Sequence, residues 1–139
     1  MHAAARALAL VTLLCPALAG AGSTLKADRL SVNGLEVRQL SCTLEKADFF
    51  ALMTVVGALA KQKDALDACA PAGAAFRVEW QWAKGKAKGA KVAQSSKAGA
   101  NKCVAAAVLK TSAATDGSCA GTILVGEAKA AGKAADALK

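Results

Sequence analysis

An α+β fold, a small antiparallel sheet of hairpins with two helices packed on one face and two disulfides, is predicted by three observations. Asn33-Gly34 sits between two alternating segments, the residues from Lys46 to Ala68 repeat their apolar positions at helical spacing, and Phe76-Arg77-Val78-Glu79-Trp80-Gln81-Trp82 alternates strictly before a glycine-rich turn. Hairpins interrupted by helices, without a regular β-α-β alternation, give an antiparallel sheet with its helices segregated to one face.

Asp28 to Val32 and Leu35 to Leu44 read as the first hairpin, because Asn-Gly supplies the two positive φ angles of a two-residue turn. Such a turn sets Val32 opposite Leu35 and Leu30 opposite Val37 on one face. Beyond Arg38 the apolar positions become Leu40, Cys42 and Leu44, so the alternation changes phase; a bulge near Arg38-Gln39 would let the strand serve two packing surfaces. From Lys46 to Ala68, the residues Phe49, Leu52, Met53, Val56, Leu59, Ala60 and Leu66 form one helical stripe, with Asp48 near the positive end of the helix dipole. The run Phe49 to Ala60 is too short for a membrane span and reads as a core helix, ended by Cys69-Ala70-Pro71 and Gly73.

The next strand has one core face, Phe76, Val78, Trp80 and Trp82, and turns through Lys84 to Gly89 into a shorter strand at about Ala90 to Gln94. Ser95-Ser96 provides caps for a helix over Lys97 to Lys110, whose apolar face is Ala100, Cys103, Val104, Ala107 and Val108. A loop from Thr111 to Gly117 leads to a last strand, Ser118 to Gly126. The segment 127–139 lacks a full apolar stripe and is expected to be a flexible Ala/Lys tail that frays or forms a weak helix, which leaves 28–126 as a single α+β domain.

Residues 1–19 have the features of a cleaved export signal. Arg6 gives a positive start, Ala7 to Leu14 an apolar run, and Ala17-Leu18-Ala19 a small-x-small cleavage site after Pro16. The apolar run is too short to span a bilayer, and Leu14 before Cys15 is wrong for lipid attachment, so a soluble periplasmic or secreted product is expected, not a membrane-spanning one. Removal of Cys15 leaves Cys42, Cys69, Cys103 and Cys119, an even set in an oxidising compartment. Cys69 ends one helix and Cys103 lies in the other, while Cys42 and Cys119 are both on strands. Cys42–Cys119 with Cys69–Cys103 is therefore preferred over the two other pairings.

The chain carries 18 basic and 10 acidic residues, a net charge of +8, which suits anionic partners or simple solvation. Its one histidine, His2, lies in the leader, which excludes histidine triads, Cys-His pairs and histidine-ligated zinc from the exported chain. No Cys-x-x-Cys, phosphate-binding loop or dinucleotide fingerprint occurs, and the acidic residues are scattered; Asp64 and Asp67, one helical turn apart, read as a solvated face. No enzyme, cofactor, metal site or specific nucleic-acid partner is expected. Trp80 and Trp82 beside the lysine-rich turn could form a stacking platform but read first as core, with Trp82, at the strand end, the candidate for partial exposure. The candidate binding residues are thus Trp82, Lys84, Lys86, Lys88 and Lys91.

From Cys69 the order is a helix ending in Cys-x-Pro, a small-residue turn, the strand Phe76-x-Val78-x-Trp80-x-Trp82, a turn at Gly85, a strand ending in Ser95-Ser96, and Cys103-Val104 opening a helix. Over residues 69–125 this resembles the TonB C-terminal-like domains of myxobacterial gliding-motility-associated envelope proteins, although no proline precedes the last strand where those domains usually have Phe-Pro. The resemblance implies a small periplasmic domain that recognises another envelope protein. The expected function is non-catalytic binding of a protein or other envelope component, with a secreted inhibitor of a hydrolase such as a protease as the alternative. Recognition is expected by strand addition near the second hairpin, where Lys84 to Lys91 would steer an acidic segment. Intact mass of the exported protein is expected to place its first residue near Gly20 or Gly22; Met1 retained on cytosolic protein would refute export.

Overall fold

Two hairpins separated by helices receive a late strand between them. The computed structural model describes residues 22–48 and 50–138; the leader 1–19 lies outside them. In chain order the elements are β1 (Ser23–Val32), β2 (Leu35–Leu44), α1 (Ala51–Ala60), α2 (Lys63–Cys69), β3 (Ala74–Ala83), β4 (Lys86–Ser95), α3 (Asn101–Leu109), β5 (Gly117–Val125) and α4 (Ala128–Ala137). All neighbouring strands are antiparallel, in the order β1-β2-β5-β3-β4. The last strand can occupy the centre because its core face is buried throughout, by Cys119, Ile123 and Val125, and its other face is buried in its second half, by Thr122 and Leu124. The α+β class and the antiparallel sheet are as predicted. So are both disulfides, Cys42–Cys119 and Cys69–Cys103. No helix among the described residues is long and apolar enough to cross a membrane.

The helices depart from expectation in three ways. The stretch predicted over 46–68 breaks at Lys61-Gln62 into α1 and α2. Val55, Val56, Ala58 and Leu59 point inward while Met53 is 46% exposed, so the buried stripe is rotated from the predicted one; Phe49 of that stripe lies outside the described residues. The break lets Leu66 reach the core, and it lets Asp67 accept from the Gly126 N–H at 2.8 Å while pairing with Lys63. Ser96 does not cap α3: its Oγ accepts from the Ala75 N–H at 3.0 Å, and the helix enters through a 3-10 turn at Ala98–Ala100.

The third departure is the tail. Segment 127–139 is expected to be a flexible tail that frays or forms a weak helix, and 128–137 do form a helix, α4, but one capped by Glu127 and pinned by Arg38. The Glu127 carboxylate accepts from the N–H groups of Lys129 (3.0 Å) and Ala130 (2.6 Å), satisfying two helix-end donors. Arg38 Nη1 reaches Asp136 Oδ1 at 2.8 Å. Three helices therefore cover one sheet face and a fourth crosses the other, in place of two on one face. Ala75, Leu124 and Ala131 form the small buried layer under α4, apart from the main core.

The bulge predicted at Arg38-Gln39 is present: the β2–β5 register shifts between Arg38 and Ser41, and Gln39 has φ 50°. Its effect is the reverse of the expected one. Both flanks of the bulge face the same core, because the extra residue restores the phase that the sequence had lost. A Cβ added at Gly121 would lie 2.9 Å from Val37 Cγ1 and 3.2 Å from Leu40 Cδ1, so residues from the two flanks close over the same glycine. β1 changes phase with its partner, placing Leu25 opposite Cys42 but Leu30 opposite Val37.

Cys42 and Cys119 are direct partners in the β2–β5 register, 77 residues apart in sequence, and Cys69–Cys103 closes a separation of 34 between α2 and α3. Loop-closure entropy removed from the unfolded chain gives about 4 kcal/mol for each. Trp80 and Trp82 are 2% exposed and meet edge to face, their centroids 6.4 Å apart. Their indole N–H groups meet no acceptor, a desolvation loss of about 1–3 kcal/mol each. Burying about 150–250 Å² per ring outweighs that loss.

The backbone N–H groups of Ala130 and Lys129 hold the Glu127 carboxyl below its ordinary value of 4.5. A carboxyl with a lowered folded pKa stabilises the fold above its unfolded value, and the contribution disappears as pH falls through the folded one. Carbon chemical shifts of residues 128–137 are therefore expected to hold from neutral pH to about pH 5 and to lose helicity at more acid pH. Glu127→Gln should show reduced helicity already at neutral pH; wild-type shifts in that variant would show the cap to be dispensable.

Candidate functional site

The helix α4 covers only the end of its sheet face where β3 begins and β5 ends. The remainder is open, and the strand register sets its side chains in transverse rows. One row runs Thr24, Thr43, Ser118, Gln81, Lys88, and the next runs Lys26, Ser41, Ala120, Glu79, Lys91. Toward α4 a third runs Arg38, Thr122, Arg77, Gln94. The Thr24 and Thr43 hydroxyls bond at 2.9 Å. This polar surface is the reverse of the alternation that buries Phe76, Val78, Trp80 and Trp82.

Three of the four candidate lysines belong to it. The sequence places Lys86 and Lys88 in a glycine-rich turn over Lys84 to Gly89 and Lys91 in the strand after it, but the turn is only Lys84-Gly85, with φ 52° and 77°, matching Asn33-Gly34 at 48° and 80°. Two positive φ angles are what a two-residue hairpin requires. Lys88 and Lys91, three residues apart, would face opposite ways in a regular strand. A register shift containing Gly89, at φ 60°, brings both to the open face beside Gln81 and Glu79.

The tip itself is held. Lys84 N–H donates to Asp116 Oδ1 at 2.8 Å, Ala113 N–H to the Gly85 carbonyl at 3.0 Å, and Ala87 N–H to the Thr111 carbonyl at 3.1 Å. The 111–113 segment thus occupies the outer edge of β4 at its start. Trp82, read first as core and only as the candidate for partial exposure, is buried on the helix side opposite Ala87, in one cluster with Ala113, and offers no stacking surface. Asp67 is taken by Lys63 and Gly126, so it does not share a cation with Asp64; no group of three or more metal-ligating side chains occurs among the described residues.

Three hollows adjoin along the open face. The one beside α4, about 550 Å³, includes Asp28, Arg38, Gln39, Thr122 and Asp136. The next, about 360 Å³, shares Asp28 and Gln39 and adds Lys26, Ser41 and Arg77. A third, about 390 Å³, continues from Ser41 to Glu79, Gly89, Lys91 and Ser118. Their shared residues make one trough across the sheet, with the two-strand phase change at its middle. Bulges commonly re-aim side chains next to sites of this kind.

The arginines of the trough differ in commitment. Arg29 and Arg38 face each other across β1 and β2, and Glu36 Oε1 accepts from both, at 2.8 and 2.9 Å. The hydrogen bond to Glu36, followed by the charges of Glu36 and Asp136, holds the Arg38 guanidinium above its ordinary pKa against the effect of burial. Arg77 has no such partner: its Nη1 is buried without an acceptor. Leaving a charged donor unpaired in this way is unfavourable by about 1–3 kcal/mol or more. Sequence reading had assigned Arg77 only to the polar side of its strand, because the Ser41, Gln39 and Thr122 that surround it come from other strands.

No protein-family model, curated protein or solved structure matches this chain.

Gln39 keeps a left-handed backbone at the centre of the trough, a conformation especially unfavourable for β-branched residues. Gln39→Val is expected to destabilise by about 1–3 kcal/mol and Gln39→Gly to be near neutral, as read by denaturant unfolding. Equal midpoints for the two variants would show that the phase change is not strained.

Proposed function

We propose that this chain is an exported, non-catalytic binding domain that holds an acidic polypeptide segment of another periplasmic or secreted protein across the open face of its sheet. The observation that carries the reading is the bulge at Gly89, which turns Lys88 and Lys91 onto the face where Lys26, Lys86 and Arg77 already lie. A strand that gives up regular pairing to align lysines with a hydroxyl-lined trough is suited to an extended anionic ligand. Export is supported by the leader features of residues 1–19 and by two disulfides, which persist in oxidising compartments. The resemblance of residues 69–125 to TonB C-terminal-like domains supports recognition of an envelope protein.

The face is a better surface than the edge. β4 is bulged twice and capped at its start by 111–113, features that discourage pairing with a further strand. The ligand therefore lies over the strands, with lysines steering its approach through a field that salt screens.

Titration of the isotope-labelled protein with a ten-residue glutamate peptide is expected to shift amides around Ser41, Gln81, Lys88, Lys91 and Ser118. Lys86→Gln, Lys88→Gln and Lys91→Gln together should weaken binding about ten-fold at low salt and leave stability nearly unchanged. Binding that ignores both salt and the triple substitution, or shifts confined to the helix side, would overturn the reading.

A further inference from the structure

Among the described residues of the open face, Arg77 is the cation with a buried nitrogen that has no acceptor: its Nη1 lies in the middle hollow unpaired, whereas neighbouring Arg38 is neutralised by Glu36 and Asp136. The guanidinium projects from β3 beside Thr122 of β5, and the hollow it lines extends to Ser41 of β2 and Lys26 of β1. The Ser41 hydroxyl and the Gln39 amide, which line the same hollow, can donate to an oxyanion that arrives there, and Thr122 lines the adjoining one.

We infer that Arg77 is the specificity-determining residue of a carboxylate subsite, which takes one glutamate or aspartate side chain of the bound acidic segment. This deepens the open-face reading and rests on it. The guanidinium lines the hollow and offers a planar pair of donors that matches the two oxygens of a carboxylate, and a small turn of the side chain toward the ligand gives the buried Nη1 the acceptor that the fold withholds. The charge of the hollow selects a monoanion. Lys26 and Arg77 are set against Asp28, an excess of one positive charge, which balances a carboxylate and leaves a phosphate dianion opposed by Asp28. The bulge shapes the recess: Asp28 and Gln39, the exposed residues at the phase change of β1 and β2, line it together with Arg77.

The role differs from that of the lysines. Lys86, Lys88 and Lys91 are exposed and contribute long-range attraction, whereas Arg77 is half-buried and reads geometry. Removal of a lysine should therefore slow association and change salt dependence, while alteration of Arg77 should speed dissociation and change the choice of anion.

The test uses the full exported chain and a short blocked peptide, acetyl-Gly-Glu-Gly-amide, with its glutamine counterpart and inorganic phosphate as comparisons. Expected results are shifts at Arg77, Ser41 and Thr122 with the glutamate peptide, none with the glutamine peptide, and weaker binding of phosphate at pH 7.5. Arg77→Lys, which keeps the charge, is expected to lose about ten-fold in affinity for the glutamate peptide. Ser41→Ala, which removes a hydroxyl donor and leaves the arginine in place, should lose affinity by a smaller factor. Equal affinity of Arg77→Lys and wild type, or tighter binding of phosphate than of the peptide, would overturn the subsite. If the ten-residue glutamate peptide still binds in a lysine-dependent way while Arg77→Lys has no effect on either peptide, the subsite fails and the open-face reading survives. If neither peptide binds, both fail.

Discussion

The pairing of β5 with both hairpins is the constraint from which the rest of the sheet takes its geometry. β1–β2 and β3–β4 each have their own two-residue turn, yet neither hairpin touches the other within the sheet except through β5. Its register fixes which residues face the helices and which face outward on all five strands. Cys42–Cys119 locks that register covalently at a direct cross-strand pair. A one-residue slip would turn the core face of a whole hairpin to solvent, so a link at a paired position removes the most damaging alternative. The second link, Cys69–Cys103, ties together two helices on the same face and acts on the layer above.

Irregularities in the other strands are measured against this continuous one. β2 carries an extra residue at Gln39, and β4 carries extra residues near Gly89 and in the Val92 to Gln94 stretch, each opposite an uninterrupted neighbour. At β2 the insertion serves packing, because it keeps Leu35, Val37, Leu40, Cys42 and Leu44 in one core. At β4 the insertion near Gly89 serves the other face, because it collects lysines that regular alternation would divide. The same device thus completes the core at one edge of the sheet and builds a charged surface at the other. Unfavourable φ at Gln39 and the unpaired Nη1 of Arg77 both fall in the trough between them.

Much of the fold was legible in the chain. Asn33-Gly34, the alternating Phe76 to Trp82, and the phase break after Arg38 are local signals, and each marked the element or bulge that the structure contains. The cysteine pairing was legible too, since two helix residues and two strand residues divide naturally between layers. Less was legible where the outcome depended on what lay opposite. Trp82 read as core with a chance of partial exposure because it ends its strand, and Ala87 and the 111–113 segment close over that end. The 127–139 segment promised at most a weak helix because alanine and lysine lack an apolar stripe, but Glu127 caps it and Arg38, distant in sequence, reaches Asp136. The lysine turn looked longer, Lys84 to Gly89, because glycine and lysine fill it, but pairing starts at Lys86 and Asp116 and Thr111 hold the tip.

By itself the sequence determined the composition of each face and the positions of its breaks. Turn dihedrals, alternation and helical spacing act over a few residues, so they are written wherever those residues stand. Only the tertiary structure decided the order of the strands, the side taken by α4, the single core shared by both flanks of the Gln39 bulge, and the isolation of Arg77. Each of these depends on which distant backbone supplies the neighbouring donor or acceptor. Arg38 found Glu36 and Asp136 and became part of the scaffold. Arg77, identical in chemistry and also on the outward side of its strand, was set by the β3–β5 register beside Thr122, and its Nη1 was left without an acceptor.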